Sequence, residues 1–175
     1  MFFVEIIASE FSDSMSLKAD ALDFFNDAVN YAISLFVASS SLLIRAKASI
    51  VKACTMAAVG FFVLFHAIDR VIDGALPEAS TMGFIGLLAL IANLTVAATL
   101  YRYRDKDSNM RSVWLCSRND AIGNLAVIVA AIGVFSSASR WPDLLVAIII
   151  ATLAISSAWH IIRLALAEIQ TSTQP

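Results

Sequence analysis

Asp20, Asp23, Asp27, Asn30 and Ser34 recur at intervals of three, four, three and four residues within one long apolar stretch. At about 100° per residue this spacing sets all five in one narrow sector of a helix. The rest of the stretch (Leu17, Ala21, Leu22, Phe24, Phe25, Val29, Ile33, Leu35, Phe36) is apolar. An aspartate near the centre of a bilayer costs roughly 2.5–3.5 kcal/mol on insertion scales. Three on one lipid-facing span are untenable, so the sector must look into a hydrated or cation-occupied cavity between helices.

A second constellation lies far along the chain, where Cys116, Asp120 and Asn124 follow at i, i+4 and i+8, again one helix face. Two segments therefore each carry a pair at i, i+4: Asp23 with Asp27, and Cys116 with Asp120. Two such pairs on adjacent helices converge four donors on one point. Four is the number zinc prefers, and the set mixes hard carboxylates with one soft thiolate. A metal entering between carboxyl groups displaces their protons, which couples metal movement to a proton gradient.

The elements that must hold these residues are membrane helices. The 175-residue chain is 59% hydrophobic and 15% charged, with a mean hydropathy of +0.81, which excludes an ordinary soluble domain. Apolar runs near the ~20 residues needed to cross a bilayer cover roughly 17–41, 48–72, 81–103, 112–137 and 142–166. Because backbone groups in lipid must be satisfied within each span, an all-α membrane bundle is expected. Residues 1–11 are apolar but too few to cross a ~30 Å core at ~1.5 Å per residue. They read as the remnant of a first span whose beginning lies upstream of an internal methionine start, and no small-residue cleavage site marks them as a signal peptide. The expected organisation is one transmembrane domain over 1–170, five complete spans plus that truncated first helix, and a polar tail over 171–175.

Charge sets the orientation. Arg45, Lys47 and Lys52 cluster between the first two complete spans, and Arg102, Arg104, Lys106, Arg111 and Arg118 surround the third-to-fourth connection. On the opposite side Lys18, Arg70 and Arg140 are offset by Asp69, Asp73, Glu78 and Asp143. The positive-inside rule then makes the basic loops and the C-terminus cytoplasmic in a multi-pass inner (cytoplasmic) membrane protein. Cys54 and Cys116 are the two cysteines, both toward the inferred cytoplasmic side, so no disulfide framework is expected. No nucleic-acid patch is present.

In Ser14–Asp27 (SMSLKADALDFFND), Ser112–Gly133 (SVWLCSRNDAIGNLAVIVAAIG) and Trp141–Ala151 (WPDLLVAIIIA) the sequence resembles the cation diffusion facilitator family, proton-coupled exporters of zinc and related dications. The resemblance covers most of the chain in order and implies a cation-efflux transmembrane bundle of six spans, here lacking half of the first. It implies a transport site with Asp23 and Asp27 as one pair and Cys116 and Asp120 as the other. The second pair in that family usually begins with His or Asp. Cys116 either softens the site towards zinc, cadmium or copper-like ions, or leaves three carboxylates completed by water. The family's cytoplasmic C-terminal metal-binding domain and its His-rich loop have no counterpart before Pro175. A homodimer is implied by the resemblance, with membrane lipid, a dication and protons as partners and no resident cofactor.

Plainer readings compete at each position. Asp23, Asp27 and Asp120 are either cation ligands or polar glue between helices; intramembrane carboxylates are functional by default. Cys116 is a ligand or a small core residue. Asp20 belongs to the entry path or supports the ligands, or else is solvated at a helix end. Asn30 and Asn124 orient carboxylates or bond between helices at ~0.6–2 kcal/mol, as Asn93 is expected to do. His66, Asp69 and Arg70 suggest a local interfacial network, and Trp159, His160 and Arg163 an aromatic belt. Gly83, Gly86 and Ala89 suit close helix packing.

The expected function is proton-coupled efflux of zinc, then cadmium or cobalt, with manganese and iron left open; it is not enzymatic. One alternative is a transport-inactive truncated paralogue or partner subunit. Another is a magnesium-dependent intramembrane prenyl- or phosphatidyl-transferase using Asp20, Asp23 and Asp27. That enzyme needs a second acidic motif, for which Asp69 and Asp73 are the candidates.

Overall fold

In a computed structural model, the described residues of the chain fold as six helices: α1 (Phe2–Ser12), α2 (Met15–Phe36), α3 (Leu42–Asp73), α4 (Ala79–Tyr101), α5 (Ser108–Ser137) and α6 (Trp141–Ser172). The structure describes the backbone of 1–37, 39–102 and 108–172, and their side chains apart from 34, 42, 73, 108–117, 119, 171 and 172. Four of the helices, α3 to α6, are long and apolar enough to cross a membrane. The 22-residue α2 falls outside that count because it carries Lys18, Asp20, Asp23 and Asp27. Its length of about 33 Å at 1.5 Å per residue still spans a bilayer core.

Helix ends depart from the expected spans because charge ends an apolar run without ending a hydrogen-bond ladder. α3 begins at Leu42, not near 48, and takes Arg45 and Lys47 into its first turns. α6 runs on to Ser172. α2 stops at Phe36, short of 41.

Three turns gather at one end of the bundle, called here the hairpin end: 12–14, 74–78 and 138–140. Asp13 takes the left-handed conformation (φ 57°) that aspartate tolerates better than most residues, and so closes α1. Ser14 then caps α2 by accepting from the Leu17 N–H at 3.1 Å. Glu78 opens α4, its carboxylate accepting from the Ser80 and Thr81 hydroxyls at 2.9 Å, and its N–H donates to the Ser12 carbonyl at 2.8 Å. Arg70 pairs with Asp13, and Arg140 donates to the carbonyls of Gly74 and Val71.

Asp143 completes this fastening. It is 1% exposed and accepts from Ser14 Oγ (2.6 Å), Met15 N (2.7 Å), Ser16 N (3.0 Å) and Ser16 Oγ (2.6 Å). The acid expected to offset surface charge instead ties the start of α6 to the start of α2. The expected His66–Asp69–Arg70 network does not form in that way either: Arg70 turns to Asp13, and His66 lies against the rings of Phe62 and Phe65.

Small residues set the helix pairs, as close packing in lipid requires. α3 lies along α6 with Gly60 against Ala151 and Ile155, and α4 along α5 with Gly86 against Val127 and Ile128. α2 sits among α1, α3, α5 and α6. From Met15 to Ala21 it is buried except at Lys18, whereas Leu35 and Phe36 at its other end are 78% and 91% exposed. At the α6 end Arg163 lies over the Trp159 ring, 4.9 Å from its centroid, in line with the expected belt.

Candidate functional site

The polar sector of α2 faces the bundle. Asp20 is buried, and Asp23, Asp27 and Asn30 are half-buried on a helix whose neighbours are α1, α3, α5 and α6. Across from it, α5 presents Asp120, half-buried, and Asn124, fully buried. Asp27 and Asp120 meet: their side chains share a hydrogen bond. Two carboxyl groups can bond in this way only by sharing a proton, so the pair is one place for which a proton and a cation would compete. Asp23 lies within electrostatic reach of Asp27 and Asp120.

Other expected residues fall out as follows. Asp20 reaches α5, its Oδ1 lying 3.9 Å from where a Cβ on Gly123 would stand. Asn30 Oδ1 is buried without a hydrogen-bond partner, as are both side-chain atoms of Asn124 and Nδ2 of Asn93. Cys116 is carried on α5 four residues before Asp120, and its side chain is outside the described residues. Asp69, one half of the second acidic motif that a transferase needs, is exposed on α3 and does not join the buried acids, and the side chain of Asp73 is outside the described residues. Among the described residues, no three His, Cys, Asp or Glu side chains are gathered tightly enough to hold one ion.

Two further polar residues belong to this interior. Glu5 of α1 is completely buried with neither carboxylate oxygen hydrogen-bonded, within electrostatic reach of Asp20 and Asp23. Its signal in the sequence was a glutamate set between Val4 and Ile6 in the middle of the apolar run, whereas Glu10 stands at the run's end. Asn26 is 3% exposed and accepts from the Thr55 hydroxyl at 3.4 Å, linking α2 to α3. It lies beside the 3-4-3-4 sector, which is why that pattern passes over it.

Comparison with known proteins now bears on this arrangement. Residues 44–169 match the model of the cation efflux transmembrane domain. Among curated proteins, the chain is 24% identical over 180 residues to a cadmium, cobalt and zinc/H(+)-K(+) antiporter of Bacillus subtilis, covering 91% of this chain and 56% of that protein. It is 24% identical over 182 residues to the zinc transporter ZitB of Pectobacterium atrosepticum, covering 97% of this chain and 57% of that protein. With the metal cation efflux system protein CzcD of Cupriavidus metallidurans the identity is 22% over 171 residues, covering 91% and 54%. The chain thus spans little more than half the length of these relatives. With the domain match running through four of its helices and into its last turns, the chain belongs to the cation efflux, or cation diffusion facilitator, family of membrane proteins.

Proposed function

We propose that the chain carries a divalent cation, zinc before cadmium or cobalt, out of the cytoplasm in exchange for protons. The observation that carries this reading is the hydrogen bond between Asp27 of α2 and Asp120 of α5. A dication arriving between these carboxyls replaces their shared proton and restores the local charge balance, so metal and proton compete for one place. Asp23, one turn along α2, adds oxygen, and Cys116 supplies a thiolate or leaves its position to water. Asp20, Asn30 and Asn124 line the approach or orient the ligands. The names of the relatives, which include a metal/H(+)-K(+) antiporter and a zinc transporter, support both the cargo and the exchange.

On this reading residues 1–170 form the transport domain, with the C-terminal end of α6 on the cytoplasmic side of the inner membrane. The basic clusters at Arg45–Lys52 and Arg102–Arg118 face the cytoplasm by the positive-inside rule. A second copy of the chain is the expected partner. Access alternates as groups of helices rock about the site.

The test is zinc flux into everted vesicles driven by a pH gradient. Asp27→Ala and Asp120→Ala are each expected to abolish flux while leaving the protein in the membrane. Undiminished flux in both variants would refute the assigned site.

A further inference from the structure

The buried acids of this bundle are more numerous than one ion needs. Glu5 has no hydrogen-bond partner on either oxygen, and Asp20, 5% exposed, has none on Oδ2. The basic side chains of the hairpin end are engaged elsewhere: Lys18 with Glu10 at 2.5 Å, Arg70 with Asp13, and Arg140 with two carbonyls. The positive charge within electrostatic reach of Glu5 is the Met1 amino group, and it donates no hydrogen bond to either oxygen.

These groups share a level in the bundle. α1 runs towards the Asp13 turn and α2 away from it, with Glu5 seven residues before Ser12 and Asp20 six after Ser14. At 1.5 Å per residue they lie about 10 and about 9 Å below the turn. Asp27 is about 10 Å deeper than Asp20 along α2. On α5, Asn124 stands about 6 Å nearer the hairpin end than Asp120. Asp20 lies within electrostatic reach of both Glu5 and Asp120, and it meets α5 at Gly123, the neighbour of Asn124.

An independent observation points to a ligand. Asn124 is 0% exposed, and neither its amide oxygen nor its amide nitrogen has a partner. A buried amide left unpaired costs about 1–3 kcal/mol, on the face where α5 meets α2. Two carboxylates and an amide oxygen are hard donors suited to a cation that keeps part of its water.

We propose that Glu5, Asp20 and Asn124 form a second cation site, on the hairpin side of the Asp27–Asp120 pair, where the outgoing dication rests before release. This deepens the transport reading and rests on it for the direction of travel, but not for the existence of the site. An ion moving from the first site to the second exchanges one set of oxygen donors for another within about two helical turns. It therefore never crosses the apolar bundle without ligands.

The experiment is equilibrium dialysis of the purified full chain in detergent against cadmium chloride, counting ions bound per chain. Wild type is expected to bind about two, and Glu5→Gln, Asp20→Asn and Asn124→Leu about one each. Asn124→Leu also guards against misfolding: it removes an unpaired amide, so the variant should unfold no more easily than wild type while losing an ion. Asp27→Asn and Asp120→Asn are expected to lose the other ion and keep this one. A wild-type count of about one, or counts unchanged in all three hairpin-side variants, overturns the second site. Counts unchanged in Asp27→Asn and Asp120→Asn, with loss in the hairpin-side variants, overturn the first site and leave the second standing.

Discussion

Asp143→Ala and Asp143→Asn should separate the two oxygens of the carboxylate that ties α6 to α2. Oδ1 accepts from Ser14 Oγ, Ser16 N and Ser16 Oγ, and Oδ2 from Met15 N at 2.7 Å. Hydroxyls can rotate to other acceptors, but the Met15 and Ser16 N–H groups are fixed in the first turn of α2, at residues no more than 3% exposed. Alanine leaves both amides unpaired, at about 1–3 kcal/mol each, or about 2–6 kcal/mol together. Asparagine keeps the shape and one oxygen for the Oδ1 donors, and turns an NH2 towards Met15 N, for about 1–3 kcal/mol. At about 2–4 °C per kcal/mol for a chain of this size, the midpoint falls by about 4–24 °C for alanine and about 2–12 °C for asparagine. Thermal unfolding of the purified protein in one detergent, followed by circular dichroism, reads both. Cadmium binding below the transition should survive in each variant, because Asp143 lies outside the acidic interior. An alanine variant melting within a degree of wild type would refute the assignment, as would an asparagine variant less stable than the alanine one.

Other expectations concern packing and chemistry. Gly60→Leu places a Cβ 2.7 Å from Ile155 Cγ1 and 3.0 Å from the Ala151 carbonyl; prying α3 from α6 should cost about 1–3 kcal/mol, measured by the same melting assay. Cys116→Ser should weaken cadmium binding about tenfold or more while changing manganese binding little, if sulfur is a ligand; equal titrations would make the fourth donor water. If Asp23, Asp27 and Asp120 are the ligands, apparent zinc affinity should fall as pH drops because protons compete for the same oxygens, and a pH-independent affinity in calorimetry contradicts that competition. The Thr81 and Ser80 hydroxyls hold the Glu78 carboxyl below its usual value. The stabilisation from these two hydroxyl–carboxylate bonds is therefore fully present above the ordinary glutamate range and is lost as pH falls through the lowered value. Glu78→Gln should remove that part of the acid-side loss of stability in pH-dependent melting.

What the sequence made legible was the local chemistry. The spacing of Asp20, Asp23 and Asp27 states a helix face directly, and Cys116, Asp120 and Asn124 state another, because period and polarity are both written in neighbouring letters. The pairing of those faces was inferred from the need to neutralise acids in an apolar setting, and the Asp27–Asp120 contact agrees with it. Distant partnerships were another matter. Nothing near Asp143 announces two serines more than a hundred residues earlier, and an acid at the start of a helix has a sufficient local explanation in the helix dipole. His66, Asp69 and Arg70 looked self-sufficient on one helix until the 12–14 turn brought Asp13 alongside. Glu5 is not legible as a buried acid because residues 1–11 are too short to read as a span, and a second glutamate, Glu10, makes the segment look like a solvated end.

Arg140 fastens its neighbours through main-chain oxygens at Val71 and Gly74. A carbonyl survives every amino-acid exchange, so substitution at those two positions cannot delete the acceptors. The vulnerability of this clasp is therefore lopsided. Homologous chains should be free to vary at 71 wherever the helix tolerates it, while the guanidinium at 140 has no substitute that forks to two carbonyls at once.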